Sequence, residues 1–310
     1  NKVYIKENEE FKVLEEKLWP NNCKIKDFFL YLCKVIDFFI NMAVKVLYIT
    51  QEIFPYLPES EIAKKSRELP QYIQELGREI RTFMPKYGCV NERRNQLHEV
   101  IRLSGMNLII DDTDHQLIIK VASIPAARIQ VYFIDNEEFF KRRFVVKDEA
   151  GNDFADNDER AIFFARGVLE TVKKLRWTPD IIHCHGWMSA IVPVMVKKAY
   201  HDDPFFENSK VVYSLYDDEF TTPMSDRLNE KILMSGIELS DVATVAGNAN
   251  YETLSKLAME YSDGVIQASE KVNANLLEDI KNSQKLFLPY VSEENYVASY
   301  NEFYDKVLEK

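Results

Sequence analysis

Apolar residues in this chain gather into short β-branched runs, each followed by a longer stretch in which apolar positions recur every three or four residues. Val44–Thr50 is the first run. A loop with two prolines, Pro55 and Pro58, follows, then a helical segment that ends at Gly77 and a second run, Ile80–Met84, closed by Pro85. The order strand, loop, helix, strand predicts the first crossover of a parallel α/β sheet. After Gly88 the spacing changes. Glu99–Leu103, Asn107–Ile110, Gln116–Ala122 and Ile129–Ile134 are short alternating runs, which predicts an antiparallel excursion from the parallel core. Phe139–Phe144 reads as a short helix or turn. Asp156–Trp177 reads as a helix: Asp156 or Asn157 can cap it, Ile162, Phe163, Ala165, Val168, Leu169, Val172 and Leu175 form its apolar stripe, and Pro179 stops it. The alternation continues with a buried strand at Asp180–His185, a helix over Trp187–Tyr200 and a strand at Val211–Leu215. Helices near Tyr251–Tyr261 and Glu270–Ile280 then separate strands at Val265–Ala268 and Lys285–Leu288, and a last helix covers roughly Glu293–Leu308. The expected fold is α/β: a single doubly wound parallel-sheet, Rossmann-like domain.

Composition narrows the partners. The chain has 310 residues, 46% hydrophobic and 29% charged, enough for one large core or two small ones. A formal net charge of −11 without any Lys/Arg cluster argues against nucleic acid and against an anionic membrane surface. Cys23, Cys33, Cys89 and Cys184 include no CxxC pair, so neither a zinc knuckle nor a disulfide framework is expected, and free thiols point to a cytoplasmic protein. Phe28–Ile40 is aromatic-rich, but it is short and carries Lys34 and Asp37. It does not suit a bilayer span, and it lacks the basic leader and cleavage site of a signal peptide. Residues 1–41 are expected to be an extension outside the core, with 42–310 as the α/β domain. The alternative is an amphipathic helix packed on the domain or on a partner. No Gly-x-Gly-x-x-Gly, Walker or Gly-x-Ser-x-Gly motif occurs, and nine glycines are few for a phosphate-cradling enzyme.

Four spaced sets of residues carry a more specific signal. The first is Glu52, Pro55, Leu69-Pro70, Leu76-Gly77 and Met84-Pro85-Lys86-Tyr87-Gly88. The second is Asp180-Ile181-Ile182-His183-Cys184-His185-Gly186-Trp187 with Pro193-Val194. The third is Ser214-Leu215-Tyr216-Asp217, and the fourth is Tyr261-Ser262-Asp263-Gly264-Val265-Ile266-Gln267-Ala268-Ser269. In order and spacing they resemble glycosyltransferase family five, the bacterial glycogen synthases and plant starch synthases, over about residues 44–290. The resemblance implies the N-terminal, acceptor-side half of a GT-B glycosyltransferase. It also implies a family reaction that moves glucose from ADP-glucose to the non-reducing end of an α-1,4-glucan with retention. The implied acceptor-side rim is His183, His185, Trp187, Tyr216 and Asp217, together with the 58–62 loop.

Three departures bear on that reaction. The family has Lys-Thr-Gly-Gly-Leu at the first strand-to-helix turn, and this chain has Pro58-Glu59-Ser60-Glu61-Ile62. Glycines there let the backbone approach a diphosphate, and a lysine offsets its charge. Pro58 offers neither cation nor N–H, and Glu59 and Glu61 add negative charge. A simpler role for the segment is a Ser60 cap with acidic residues suited to a helix N-terminus. Gly186 stands where the family has aspartate before the tryptophan, removing an acceptor for a sugar hydroxyl. Tyr216 stands at the family's active-site histidine and cannot carry a positive charge. The family's nucleotide-binding C-terminal domain falls beyond this length. The expectation is therefore a catalytically impaired protein, a pseudoenzyme when alone, with α-glucan as candidate ligand and ADP-glucose not expected to bind without a second domain. The alternative is a non-catalytic glucan-binding or regulatory module, acting as a homodimer or with a partner chain. No cofactor is expected.

Other constellations have plain structural readings beside the chemical ones. His183 and His185 share a strand face and can seed a metal site with His201, or simply mark the strand end. Asp112-x-Asp114 resembles the Asp-x-Asp that holds Mn²⁺ in a different glycosyltransferase fold, or is turn chemistry, and Asp217-Asp218-Glu219 is a Ca²⁺ or Mg²⁺ site or a solvated loop. Trp187 can stack on a glucose ring or fill the core at a strand-to-helix junction. No metal is expected.

Overall fold

The computed structural model describes residues 43–310, so the N-terminal extension and its Phe28–Ile40 run lie outside the described residues. Strands β1 (Lys45–Thr50), β2 (Glu79–Pro85), β3 (His98–Glu99), β4 (Met106–Ile110), β5 (Thr113–Ile124), β6 (Ile129–Asp135), β7 (Ile181–His185), β8 (Lys210–Leu215), β9 (Gly264–Gln267) and β10 (Leu286–Leu288) form one sheet. Its order is β10-β9-β8-β7-β1-β2-β6-β5-β3, with β4 paired to β5. Every pairing from β10 to β6 is parallel. β5 runs antiparallel to β6, β3 and β4, which is the expected excursion.

β1 reads as a continuous apolar run because both faces of the sheet are covered. Leu47 and Ile49 face the layer that holds helix α2 (Asn157–Leu175) and helix α3 (Tyr251–Glu260). Val46 and Tyr48 face helix α1 (Glu61–Glu75), through Leu69 and Ile73, and helix α5 (Tyr296–Glu309), through Tyr300 and Tyr304. Helix α4 (Ala274–Asn282) joins β9 to β10. The domain is doubly wound, as the alternation predicts.

The first crossover shows how local signals fix it. Ser60 caps α1, its hydroxyl accepting from Ala63 N–H at 3.0 Å. At the other end the Gly77 N–H donates to Gln74 O at 2.9 Å and the Arg78 N–H to Ile73 O at 3.3 Å, with Gly77 at φ +95. That pair of bonds is a Schellman ending, which requires the left-handed glycine.

Several elements differ from expectation. Trp187–Tyr200 is not one α-helix but a 3-10 turn (Trp187–Ser189), a short α turn (Val192–Val194) and a π turn (Met195–Ala199). Pro193 has no N–H to give to the preceding turn, and the Tyr200 N–H reaches back five residues to Met195 O at 2.9 Å. The expected strand at Glu99–Leu103 shrinks to β3, after which the chain turns back at Leu103 and Ser104 onto Val100 O. Neither expected cap of α2 forms: Asp156 stands at the cap position, but its carboxylate is held by both Arg142 guanidinium nitrogens at 2.5 Å. Arg142 is the stronger partner because its fork matches a carboxylate.

Candidate functional site

Ligands of open α/β sheets bind beyond the carboxyl ends of the strands, where the winding direction reverses. Here β1 leads through α1 to β2 on one side, and β7 leads to β8 on the other, so the reversal falls between β1 and β7. Gln51 and Glu52 leave β1 at that edge, Gly186 and Trp187 leave β7, and Tyr216, Asp217 and Asp218 leave β8.

Just below this edge lies a buried polar cluster. His183 and His185 point to the same face with ring centroids 3.9 Å apart, and neither is exposed. His183 Nδ1 pairs with the Tyr304 hydroxyl at 2.6 Å and Nε2 with Ser214 Oγ at 2.8 Å, while Tyr304 donates to the Tyr48 hydroxyl at 3.2 Å. A neutral His183, donating from Nδ1 and accepting at Nε2, satisfies that chain. His185 Nδ1 pairs with the Tyr216 hydroxyl at 2.8 Å, and its Nε2 has no partner among the described residues. Burial holds His183 well below the usual histidine range. It takes His185 down to about 3, with the Lys65 ammonium adding to the effect. Burial pushes the Tyr216 phenol well up. The cluster is therefore neutral at physiological pH, and it lies beneath α5 rather than facing solvent.

The 58–62 loop is arranged around its own helix. Ser60 also donates to Glu52 Oε2 at 2.5 Å, tying the two loop ends. Glu61 pairs with Lys65 at 2.8 Å one helical turn on and accepts from the Ser269 hydroxyl. Lys65 is 4% exposed. Its ammonium also donates to Ala268 O and lies over the rings of Tyr216, Tyr290 and Tyr296 at 5.6–5.9 Å. Pro58 and Glu59 are exposed. Sequence reasoning did not single out Lys65. Its signal is a lysine four residues after Glu61, on the buried face of α1.

The predicted residues separate into two groups. His183, His185 and Tyr216 come together in the buried cluster. Trp187 is 2% exposed and meets Phe220 edge-on at 5.2 Å between ring centroids, so its indole is part of the core. Asp217 is exposed, and its backbone N–H donates to Ser269 Oγ at 3.1 Å. Its neighbour Asp218 is not the solvated loop residue expected. Its Oδ2 accepts from the Trp187 N–H at 3.0 Å and its Oδ1 from the Tyr251 hydroxyl at 2.9 Å. Burial pushes this carboxyl up to about 6, against the lowering effect of those two donors. His201 lies on the surface beside Asp202, away from the β7 pair. Among the described residues no group of three or more His, Cys, Asp or Glu side chains is placed to hold a metal, and no helix is long and apolar enough to cross a membrane.

Residues 45–285 match the family model described as starch synthase catalytic domain. Glycogen synthase of Chlorobium luteolum is 40% identical over 190 residues, 61% of this chain and 39% of that protein. Glycogen synthase of Chlorobaculum tepidum is 34% identical over 245 residues, 76% of this chain and 48% of that protein. The chain thus spans less than half the length of these relatives. The catalytic domain of starch synthase IV from Arabidopsis thaliana, solved with ADP and acarbose, superposes with a TM-score of 0.60 at 18% identity, over 85% of this chain and 50% of that one. That likeness shows the fold, a Rossmann-like domain of the GT-B type. The chain belongs to the starch synthase catalytic domain family, the glycogen and starch synthases of glycosyltransferase family five.

Proposed function

We propose that this chain is a glucan-recognising domain of the glycogen/starch synthase type that does not transfer glucose from ADP-glucose on its own. The observation that carries this reading is the β1–α1 turn, whose serine, first-turn carboxylate and lysine already engage one another. A diphosphate at that helix N-terminus needs free N–H groups and a free cation. Ser60 occupies the Ala63 N–H, Glu61 adds a carboxylate to the first turn, and the Lys65 ammonium is committed to Glu61 and Ala268 O. A diphosphate would have to displace Glu61 and break the Lys65 pair. That displacement would leave the buried Lys65 ammonium without its carboxylate partner. A neutral glucan faces no such obstacle at the β1–β7 edge.

The test is a pair of calorimetric titrations on the full chain, with maltoheptaose and with ADP-glucose. The reading expects heat of binding from maltoheptaose and none from ADP-glucose at millimolar concentration. Saturable ADP-glucose binding would contradict it.

A further inference from the structure

Gly186 has φ +79, and a Cβ built on it would stand 3.1 Å from Gln51 Oε1 and 3.2 Å from Asp218 Oδ2. The space a side chain at 186 would enter is thus already held by the carboxylate of Asp218, reaching in from the end of the neighbouring strand. Gly186, just beyond the end of β7, thus leaves room for the carboxyl group that Asp218, beyond the end of β8, brings to the same point of the strand-end edge. Two further contacts hold it there. The Trp187 N–H and the Tyr251 hydroxyl bind one oxygen each, which leaves each oxygen a second lone pair. Gln51, which would flank an occupant of that point, is fixed by accepting from the Met188 N–H at 3.3 Å and donating to Glu52 Oε1 at 3.4 Å.

We propose that Asp218 is the hydroxyl-binding carboxylate for the glucan at the β1–β7 edge, taking the place of a side chain at position 186. The assignment rests on the glucan-recognition reading above. Its chemistry is simple: a carboxylate oriented by two donors accepts hydrogen bonds from sugar hydroxyls more strongly than a neutral amide does. The titratable and charged groups facing it are Glu52 from the loop after β1, Tyr213 and Tyr216 from β8 and its end, and Tyr251 from α3. The three phenols stay neutral, because burial raises each of them. Glu52 repels the ionised carboxyl and so helps place its titration near pH 6.

The experiment is a maltoheptaose titration of the full chain between pH 5 and 8, on wild type and on Asp218→Asn, with thermal melts of both. Asparagine keeps the shape and an acceptor for the Trp187 N–H. A carboxyl titrating near 6 is about one-tenth ionised at pH 5, so wild-type affinity falls about tenfold from pH 8 to pH 5. Asp218→Asn at pH 7.5 is expected to bind about tenfold more weakly than wild type, independently of pH, with a melt no lower than wild type's. Wild-type affinity that ignores pH, or a variant that binds as wild type does, overturns the assignment and leaves glucan recognition standing. Weak binding together with a strongly lowered melt assigns Asp218 to loop scaffolding and also overturns it. A wild type that binds no maltoheptaose at any pH overturns both.

Discussion

At the scale of single residues, the site is governed by how burial sets protonation. His183 and His185 are neutral in the folded chain, His185 with a pKa of about 3, whereas an unfolded histidine titrates near 6.5. Between those values the unfolded chain binds protons that the folded chain does not. The stability held by these histidines is therefore complete above about pH 6.5 and is lost as pH falls toward 3. Asp218 acts in the opposite sense: its folded pKa, about 6, is above the unfolded value, so its contribution weakens stability as pH rises from about 4 to 6. The melting temperature should fall from pH 7.5 to pH 5, and His185→Gln should flatten that slope; an unchanged slope in the variant would remove His185 from the account. Tyr216→Phe deletes the partner that His185 Nδ1 has among the described residues, inside a site where Nε2 has none among them. The loss should be about 1–3 kcal/mol in chemical denaturation, and a variant as stable as wild type would show that the pair contributes nothing.

At the scale of elements, the arrangement depends on how closely α5 lies on the sheet. A Cβ at Gly264, the first residue of β9, would stand 2.8 Å from the Phe303 ring and 2.9 Å from Val307 Cγ2, both on α5. Gly264→Ala should push the helix off and cost about 1–3 kcal/mol, with faster amide exchange along α5 than in wild type. Uniform exchange would mean that the helix is held elsewhere, for instance by Arg78, which binds Asn301 Oδ1 at 2.7 Å and Asp305 at 2.6 Å. Much of this layer was legible in the sequence. Unbroken apolar runs gave the parallel strands, because two covered faces leave no alternation. Gly77 and Ser60 gave the two ends of α1. What the sequence hid were places where a tertiary contact outbids a local signal. Asp156 looks like a cap, but Arg142 takes its carboxylate. Trp187–Tyr200 looks helical, but Pro193 divides it into three kinds of turn. The candidate site was half legible. His183, His185 and Tyr216 are brought together, but their burial under α5 depends on long-range packing that no local pattern records. Asp218 was read as a solvated loop residue because nothing near it in sequence announces the Tyr251 hydroxyl or the Trp187 N–H.

At the scale of the whole molecule, the chain has the frame of its family. The parallel sheet and the order of its motifs belong to the glycogen and starch synthases. Ser60, Glu61 and Lys65 tie the β1–α1 turn together, and in the proposed function its acidic first turn disfavours a nucleotide sugar's phosphates. A radiolabelled transfer assay on the full chain, with ADP-glucose as donor and glycogen as acceptor, tests this most directly when glycogen co-sedimentation is read on the same sample. The account predicts protein in the glycogen pellet and no label transferred to the glucan. Label in the glycogen would contradict it, because the turn would then have to accommodate the diphosphate that its geometry opposes.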